Sequence, residues 1–326
     1  MLSLQLKDLV VSSSSPVTNY WNNHQFSTIY SPSLFLTNHY ARTNNATQTL
    51  STKLNTNSKT AVAASSDSVQ EEEEYEVITA MRSNHNDIVI VDTPKARMLL
   101  LDSTHNVHSI LNKDQKWTGA YWDEFASLPA IIPEGPVAIL GLGAGTAAHL
   151  MLHLWPSLDL HGWEIDPILI DKARQYFGLS DLEIPTTDGG ILRVHVDDAL
   201  SPAENDSGKF AGIIIDLFSE GRVLLQLHEV ATWLDLSKRL MPNGRFMVNC
   251  GGISEKPDNA DGTWMENPTV KALSEAFPGQ VNWKRVPETE GSNFLAFTGP
   301  LPDFTFWASK LPHPLSENVK RWKPCS

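Results

Sequence analysis

Between Gly141 and Thr146 the chain reads Gly-Leu-Gly-Ala-Gly-Thr, directly after the apolar run Val137-Ala-Ile-Leu. Glycines at such a strand-to-helix junction permit a tight turn and let a ligand approach the backbone, while the following helix presents free N–H groups. One frame, Gly143, Gly145 and Ala148, satisfies the G-x-G-x-x-G/A pattern of nucleotide-binding turns. Glu164 stands 23 residues past Gly141, where a carboxylate can accept from the paired hydroxyls of a ribose. That interval suits a nicotinamide dinucleotide or an adenosyl ligand. Asp197-Asp198-Ala199 ends a third run and offers a carboxylate to an adenine amino group. Asp216 ends a fourth run and would stand at the mouth of a sheet.

These residues need a frame, and the pattern after Pro136 supplies one. Strands are expected at Val137–Gly141, Leu158–Glu164, Ile191–Val196, Ala211–Asp216 and Arg245–Asn249. Helices are expected at Thr146–Leu154, Pro167–Phe177, Leu224–Leu240 and Pro268–Phe277, and Gln280–Val286 with Asn293–Thr298 forms a closing hairpin. Alternation of this kind implies an α/β, doubly wound parallel sheet with ligands at the carboxyl ends of its strands. Ahead of it, Tyr75–Arg82, Ile88–Asp92, Arg97–Leu101 and Val107–Leu111 read as a small antiparallel sheet. One short helix is expected at Tyr121–Leu128.

Composition narrows the class further. The chain has 326 residues and a formal net charge of −13, without the basic footprint of a nucleic-acid binder. Two cysteines, Cys250 and Cys325, do not make a disulfide framework. No apolar run is long enough to span a membrane. Residues 1–66 hold one acid and four bases, a balance of +3 that leaves −16 on the remainder, and 21 of them are Ser or Thr. Acid-poor and hydroxyl-rich, this stretch reads as a disordered transit peptide, which places the mature protein in the plastid stroma. The expected organisation is therefore this transit segment, a small β-domain over 67–130, the nucleotide-binding domain over 131–300 and a tail over 301–326.

Taken in order, the glycine turn, Glu164, Asp198-Ala199, Asp216, the Pro-Asn-Gly turn at 242–244 and the closing hairpin resemble the class I S-adenosylmethionine-dependent methyltransferase superfamily. The preceding β-domain, Leu101-Asp102 and Tyr121-Trp-Asp-Glu-Phe-Ala-Ser-Leu-Pro129 resemble its spermidine synthase branch, in the plant, plastid-targeted form. The resemblance implies a seven-stranded Rossmann-like sheet whose last strand is antiparallel. It also implies Gly141, Gly143 and Gly145 against the methionine part of the ligand, Glu164 on the ribose, and Asp198 and Ala199 on the adenine. S-adenosyl-L-methionine is the implied ligand, with its decarboxylated form as the alternative.

Departures from the branch bear on the chemistry. Its Gly-Gly-Gly-Asp-Gly reads Gly-Leu-Gly-Ala144-Gly here, so the acid that meets the aminopropyl amine is absent. Its Tyr-Gln-Glu reads Tyr121-Trp122-Asp123. Its Asp-Ser-x-Asp-Pro reads Asp216-Leu-Phe-Ser219-Glu220, which displaces the acid that deprotonates the attacking diamine. Amine attack requires an unprotonated nitrogen, so these changes weigh against spermidine synthesis. Methyl transfer needs mainly in-line positioning of a nucleophile. The expectation is thus a methyltransferase with Asp216, Glu220 and Tyr121 at the acceptor. Aminopropyl transfer and a catalytically silent ligand binder are the alternatives. Ala144 is further expected to leave the helix N-terminus free for the carboxylate of intact S-adenosylmethionine.

Partners are then a small-molecule acceptor or a protein substrate, with a homodimer allowed and neither nucleic acid nor membrane involved. His149 and His153 lack the third ligand of a metal site and read as packing or solvated residues. Trp117, Trp122 and Trp163 read as core, with Trp122 able to wall an acceptor pocket. Cys250 reads as a buried, inert thiol.

Overall fold

The computed structural model describes residues 75–104, 106–201, 209–252, 263–286 and 293–325. The expected transit peptide lies outside them. From Glu76 the β-branched, alternating stretches form β1 (Glu76–Arg82), β2 (Asp87–Asp92), β3 (Ala96–Leu100) and β4 (Ser109–Asn112), an antiparallel sheet paired in chain order. The β1–β2 turn is tied down by Asp166, which accepts from the Ser83 hydroxyl and, at 2.8 Å, from Asn86 Nδ2. The same carboxylate accepts from Ile168 N and Leu169 N, so one buried side chain caps a helix and docks the small sheet.

Helix α1 (Tyr121–Phe125) follows, shorter than expected because Leu128–Ile131, with Pro129 inside it, winds as a 3-10 turn. The large sheet then builds from β5 (Val137–Leu140), α2 (Thr146–Leu154), β6 (Asp159–Glu164), α3 (Pro167–Tyr176), α4 (Leu179–Leu182), β7 (Ile191–Val196) and β8 (Phe210–Ile215). A two-strand hairpin, β9 (Phe218–Ser219) with β10 (Arg222–Val223), precedes α5 (Val230–Ser237), β11 (Leu240–Asn249), α6 (Pro268–Ala276), β12 (Val281–Arg285) and β13 (Phe294–Thr298). The tail adds α7 (Phe304–Ser309), α8 (Leu315–Asn318) and β14 (Lys323–Pro324).

Strand order is β14-β12-β13-β11-β8-β5-β6-β7. Pairs β7–β6, β6–β5, β5–β8 and β8–β11 are parallel, and β13 is antiparallel to both its neighbours. The sheet thus has eight strands rather than the expected seven. Lys323–Pro324 of the tail pairs with β12 and supplies the extra one. The long helix expected over Leu224–Leu240 is also broken. Trp233 Nε1 donates to Leu227 O at 3.0 Å, taking a carbonyl that a continuous helix would give to the amide four residues on.

Ile88, Ile90 and Leu99 of the small sheet belong to one apolar cluster with Leu128, Met151, Phe297 and Trp307. The small sheet therefore shares its core with one face of the large one, while Trp233, Phe246 and Leu273 cover the other. Trp307 and Trp322 of the tail are 0% and 2% exposed. At roughly 25 cal/mol per Å2, burying an aromatic of roughly 150–250 Å2 contributes about 4–6 kcal/mol as an upper bound. The tail also grips α1. Glu124 forms an ion pair with Lys284, both under 7% exposed, and accepts from Asn318 Nδ2 at 2.9 Å. Trp307 Nε1 reaches Ser127 O at 3.0 Å.

Candidate functional site

Chain progression reverses at β5, whose neighbours are β6 on one side and β8 on the other. Crevices at such a switch point, beyond the carboxyl ends of the strands, are where open α/β sheets take ligands. A cavity of about 270 Å3 lies there.

One end is built by the glycine turn. Gly141 has φ 90°, and a Cβ on it would stand 2.3 Å from the carbonyl oxygen of Asp216. Gly143 has φ 55°, and its Cβ would meet Ser109 Oγ at 2.7 Å. Only glycine lets β5 turn this close to β8 and β4. Glu164 lines the cavity and fastens the turn, its Oε2 accepting from Gly143 N at 3.0 Å and its Oε1 from Asp166 N at 3.2 Å. Burial pushes its carboxyl above the ordinary range. Each oxygen keeps lone-pair capacity for a ligand hydroxyl. Asp198 and Ala199 line the same end, Asp198 Oδ1 accepting from Leu200 N at 2.9 Å.

The other end centres on Asp216. Its Oδ2 accepts from the Tyr121 hydroxyl at 3.0 Å and its Oδ1 from Asn249 Nδ2 at 2.8 Å. Burial raises its carboxyl to about 6, against the opposing pull of Asn249, Tyr121 and the Trp122 indole. Tyr121 is pushed well above 10, first by burial and then by the charge of Asp216, so it stays a donor. Asn249 is itself held, since its Oδ1 accepts from Asn293 Nδ2 at 2.9 Å and Gly251 N at 3.1 Å. Nearby, Leu101 N donates to His108 Nδ1 at 3.3 Å while His108 Nε2 faces Asp102 at 3.2 Å. This places the ring proton on Nε2. Burial works to raise Asp102, but hydrogen bonds from His108 and Thr104 outweigh it and hold the carboxyl at about 2.

Seven of the nine residues expected from sequence meet at this cavity: Gly141, Gly143, Glu164, Asp198, Ala199, Asp216 and Tyr121. Two do not. Gly145 caps α2 with φ 88°, and its Cβ position faces Leu179 rather than the cavity. Glu220 sits exposed on the β9–β10 turn with φ 49°, while its neighbours Ser219 and Gly221 line the wall. Trp122 does wall the cavity.

The expectation of a free glycine loop also changes. The amides of residues 141–145 bind Trp163 O (twice), Glu164, Ser109 Oγ and Leu142 O in turn. Ala144 is 1% exposed and faces the core. A ligand carboxylate is therefore left with the first turn of α2, where Thr146 and Ala147 line the cavity. His108, Ser109 and Asn249 were not foreseen. Asn249 was findable, because it ends a strand on the ligand side of the sheet. His149 packs, with Nε2 2.8 Å from Phe177 O. Cys250 is buried, and its thiol is pushed well above its ordinary range.

No family model matches the chain. It is 27% identical over 175 residues to a probable polyamine aminopropyl transferase of Bifidobacterium longum, which spans 53% of this chain and 37% of that protein. It is 35% identical over 144 residues to a trans-aconitate 2-methyltransferase of Streptomyces coelicolor, 41% of this chain and 42% of that one. The chain thus spans about two fifths of the length of these curated relatives. A probable spermidine synthase from Corynebacterium glutamicum superposes with TM-score 0.53 at 18% identity, covering 72% of this chain and 87% of that one. A spermidine synthase in complex with the transition state analogue AdoDATO gives 0.53 at 19%, covering 68% and 73%. The strand order and these likenesses together give the chain the class I S-adenosylmethionine-dependent methyltransferase fold, with a small antiparallel sheet set before it.

Proposed function

We propose that this chain is an S-adenosylmethionine-dependent methyltransferase whose acceptor is held against Asp216. The observation that carries this reading is the acceptor end itself. Among the described residues Asp216 is the one carboxylate lining that end, bound by Tyr121 and Asn249, while Glu220 is exposed. A diamine dication needs a second carboxylate for its far nitrogen, and among the described residues the other acids that line the cavity, Glu164, Asp197 and Asp198, belong to the nucleoside end.

The cradle fits an adenosyl ligand. Gly141 and Gly143 line the cavity with bare backbone, their Cβ positions being taken up by Asp216 O and Ser109 Oγ, Glu164 offers two acceptors for ribose hydroxyls, and Asp198 with Ala199 stands at the third strand end. When bound, the sulfonium supplies an electrophilic carbon with a good leaving group. The protein's part is to position and to take a proton. Asp216 accepts the proton of the acceptor's nucleophile, with its carboxyl near 6 suited to a base at neutral pH. Tyr121 and Asn249 fix the direction in which it accepts.

Aminopropyl transfer is the second reading, favoured by one observation. Glu164, Asp197, Asp198 and Asp216 line the cavity and no Lys or Arg does among the described residues, a wall suited to the more cationic decarboxylated ligand. Calorimetry of the full chain with S-adenosylmethionine, its decarboxylated form and methylthioadenosine separates these readings. Binding of methylthioadenosine and the intact form, with methyl transfer, supports the first. Tighter binding of the decarboxylated form, with spermidine made from putrescine, overturns it. Nucleoside binding without any transfer leaves a silent binder. Residues 1–66, by their composition, are proposed to direct the chain to plastids. A fluorescent protein carrying them should enter plastids, and a diffuse cytosolic signal refutes this.

A further inference from the structure

The walls around Asp216 say what kind of acceptor they exclude and what kind they suit. Tyr121 and Trp122 stack at 4.5 Å between ring centroids, tilted by 34°, and Phe125 meets Tyr121 edge-on at 5.8 Å. Phe218, Leu217 and Leu224 continue the apolar lining from the β9–β10 side. Apolar and aromatic walls reject a second charge, which would be desolvated there without a partner. The faces of electron-rich rings do welcome a single organic cation.

Polar capacity is equally restricted. An ionised carboxylate has about four acceptor sites. At Asp216 the Tyr121 hydroxyl and the Asn249 amide occupy one each. About two sites remain, enough for the N–H groups of one nitrogen. An anionic acceptor finds no Lys or Arg on the lining among the described residues; of the two histidines there, His108 is engaged by Leu101 N and Asp102, which leaves His85 alone against four carboxylates.

We infer that the acceptor is a monoamine: one amine nitrogen, carried on an aromatic or bulky apolar body, with no second charge. The amine sits on Asp216 and the body lies against Trp122, Tyr121 and Phe218. This rests on the reading of the site as a group-transfer cavity with its nucleoside bound beside Glu164. It adds the acceptor's class, and it discriminates against both the linear diamine and the polycarboxylate.

The test uses the full chain saturated with methylthioadenosine and titrated calorimetrically with 2-phenylethylamine, putrescine and trans-aconitate. Phenylethylamine should bind at least tenfold more tightly than putrescine, and trans-aconitate should give no binding heat. Asp216→Asn should weaken phenylethylamine at least tenfold while methylthioadenosine binding is kept, which also certifies that the variant is folded. Trp122→Gln should narrow or reverse the preference over putrescine. Putrescine binding as tightly as phenylethylamine, measurable trans-aconitate binding, or no phenylethylamine binding to the loaded protein overturns the proposal alone. Failure of methylthioadenosine itself to bind overturns the underlying reading, and the proposal with it.

Discussion

The two ends of the cavity are built on different principles. At the nucleoside end the polar contacts are made mainly by backbone amides. The amides of residues 141–145 find their partners in Glu164, the ends of β5 and β6 and the first residue of β4. At the acceptor end Tyr121, Asp216 and Asn249 come from three distant segments, and Asn293 from a fourth. The first end is rigid because the backbone is closed upon itself. The second is exact only if everything around it is in register, so its chemistry is open to change by substitution while the first end stays as it is.

The largest expected effect breaks the acceptor end alone. Asp216→Asn removes the base, and transfer should fall by about 10²–10⁴-fold, the usual worth of general base catalysis. Methylthioadenosine affinity measured by calorimetry should barely move. If it falls as far as the rate does, the two ends are not separable. Glu164→Ala is the converse. It leaves ribose hydroxyls without their acceptor and should weaken nucleoside binding by about 2–3 kcal/mol. A folded variant with unchanged affinity would remove Glu164 from the site.

Gly141→Ala tests how closed the first end is. The added Cβ would meet the Asp216 carbonyl at 2.3 Å in a left-handed backbone. Urea denaturation should show a loss of about 1–3 kcal/mol, in line with strain of this kind. Retention of wild-type stability would mean that β5 and β8 are free to part.

The smallest effect sharpens the second end. With its carboxyl raised to about 6, Asp216 is a base only when ionised, so the rate should climb with pH up to a limb near 6. Asn249→Ala removes a donor that favours the charged form, and the limb should shift to higher pH. An unmoved limb would mean that Asn249 does not steady the charge. Stability carries the opposite sign. A carboxyl raised on folding contributes its stabilisation below its unfolded value near 4, and this is lost as pH rises through about 6.

Legibility followed the same division. Gly141, Gly143, Glu164 and Asp198 lie at regular intervals along alternating strands and helices, and local periodicity was enough to assign them to one site. Glu220 was misplaced because whether a residue faces the ligand depends on turn geometry. Its φ of 49°, with Gly221 at 71° behind it, swings the side chain out to solvent. Gly145 shows the converse error, since its conformation serves the cap of α2 and its contact with Leu179. The helix before β11 breaks at Glu229, which is extended with φ −106° and ψ 127°, and Trp233 reaches back across the break to Leu227. The eighth strand depended on where the tail returns, a long-range pairing that no local pattern encodes.

The buried pair Glu124–Lys284, closed over by Asn318, also bears on the order in which the molecule is made. Helix α1, which carries Tyr121 and Trp122, leaves the ribosome long before either of its partners exists. Until Lys284 emerges, Glu124 has no counter-ion, and an unpaired charge resists burial. The glycine turn and Glu164 have their partners as soon as β6 and α3 are synthesised. A nascent chain should therefore acquire a place for a nucleoside first. Its acceptor wall comes only after residue 318 has been added, when Asn318 closes over the Glu124–Lys284 pair.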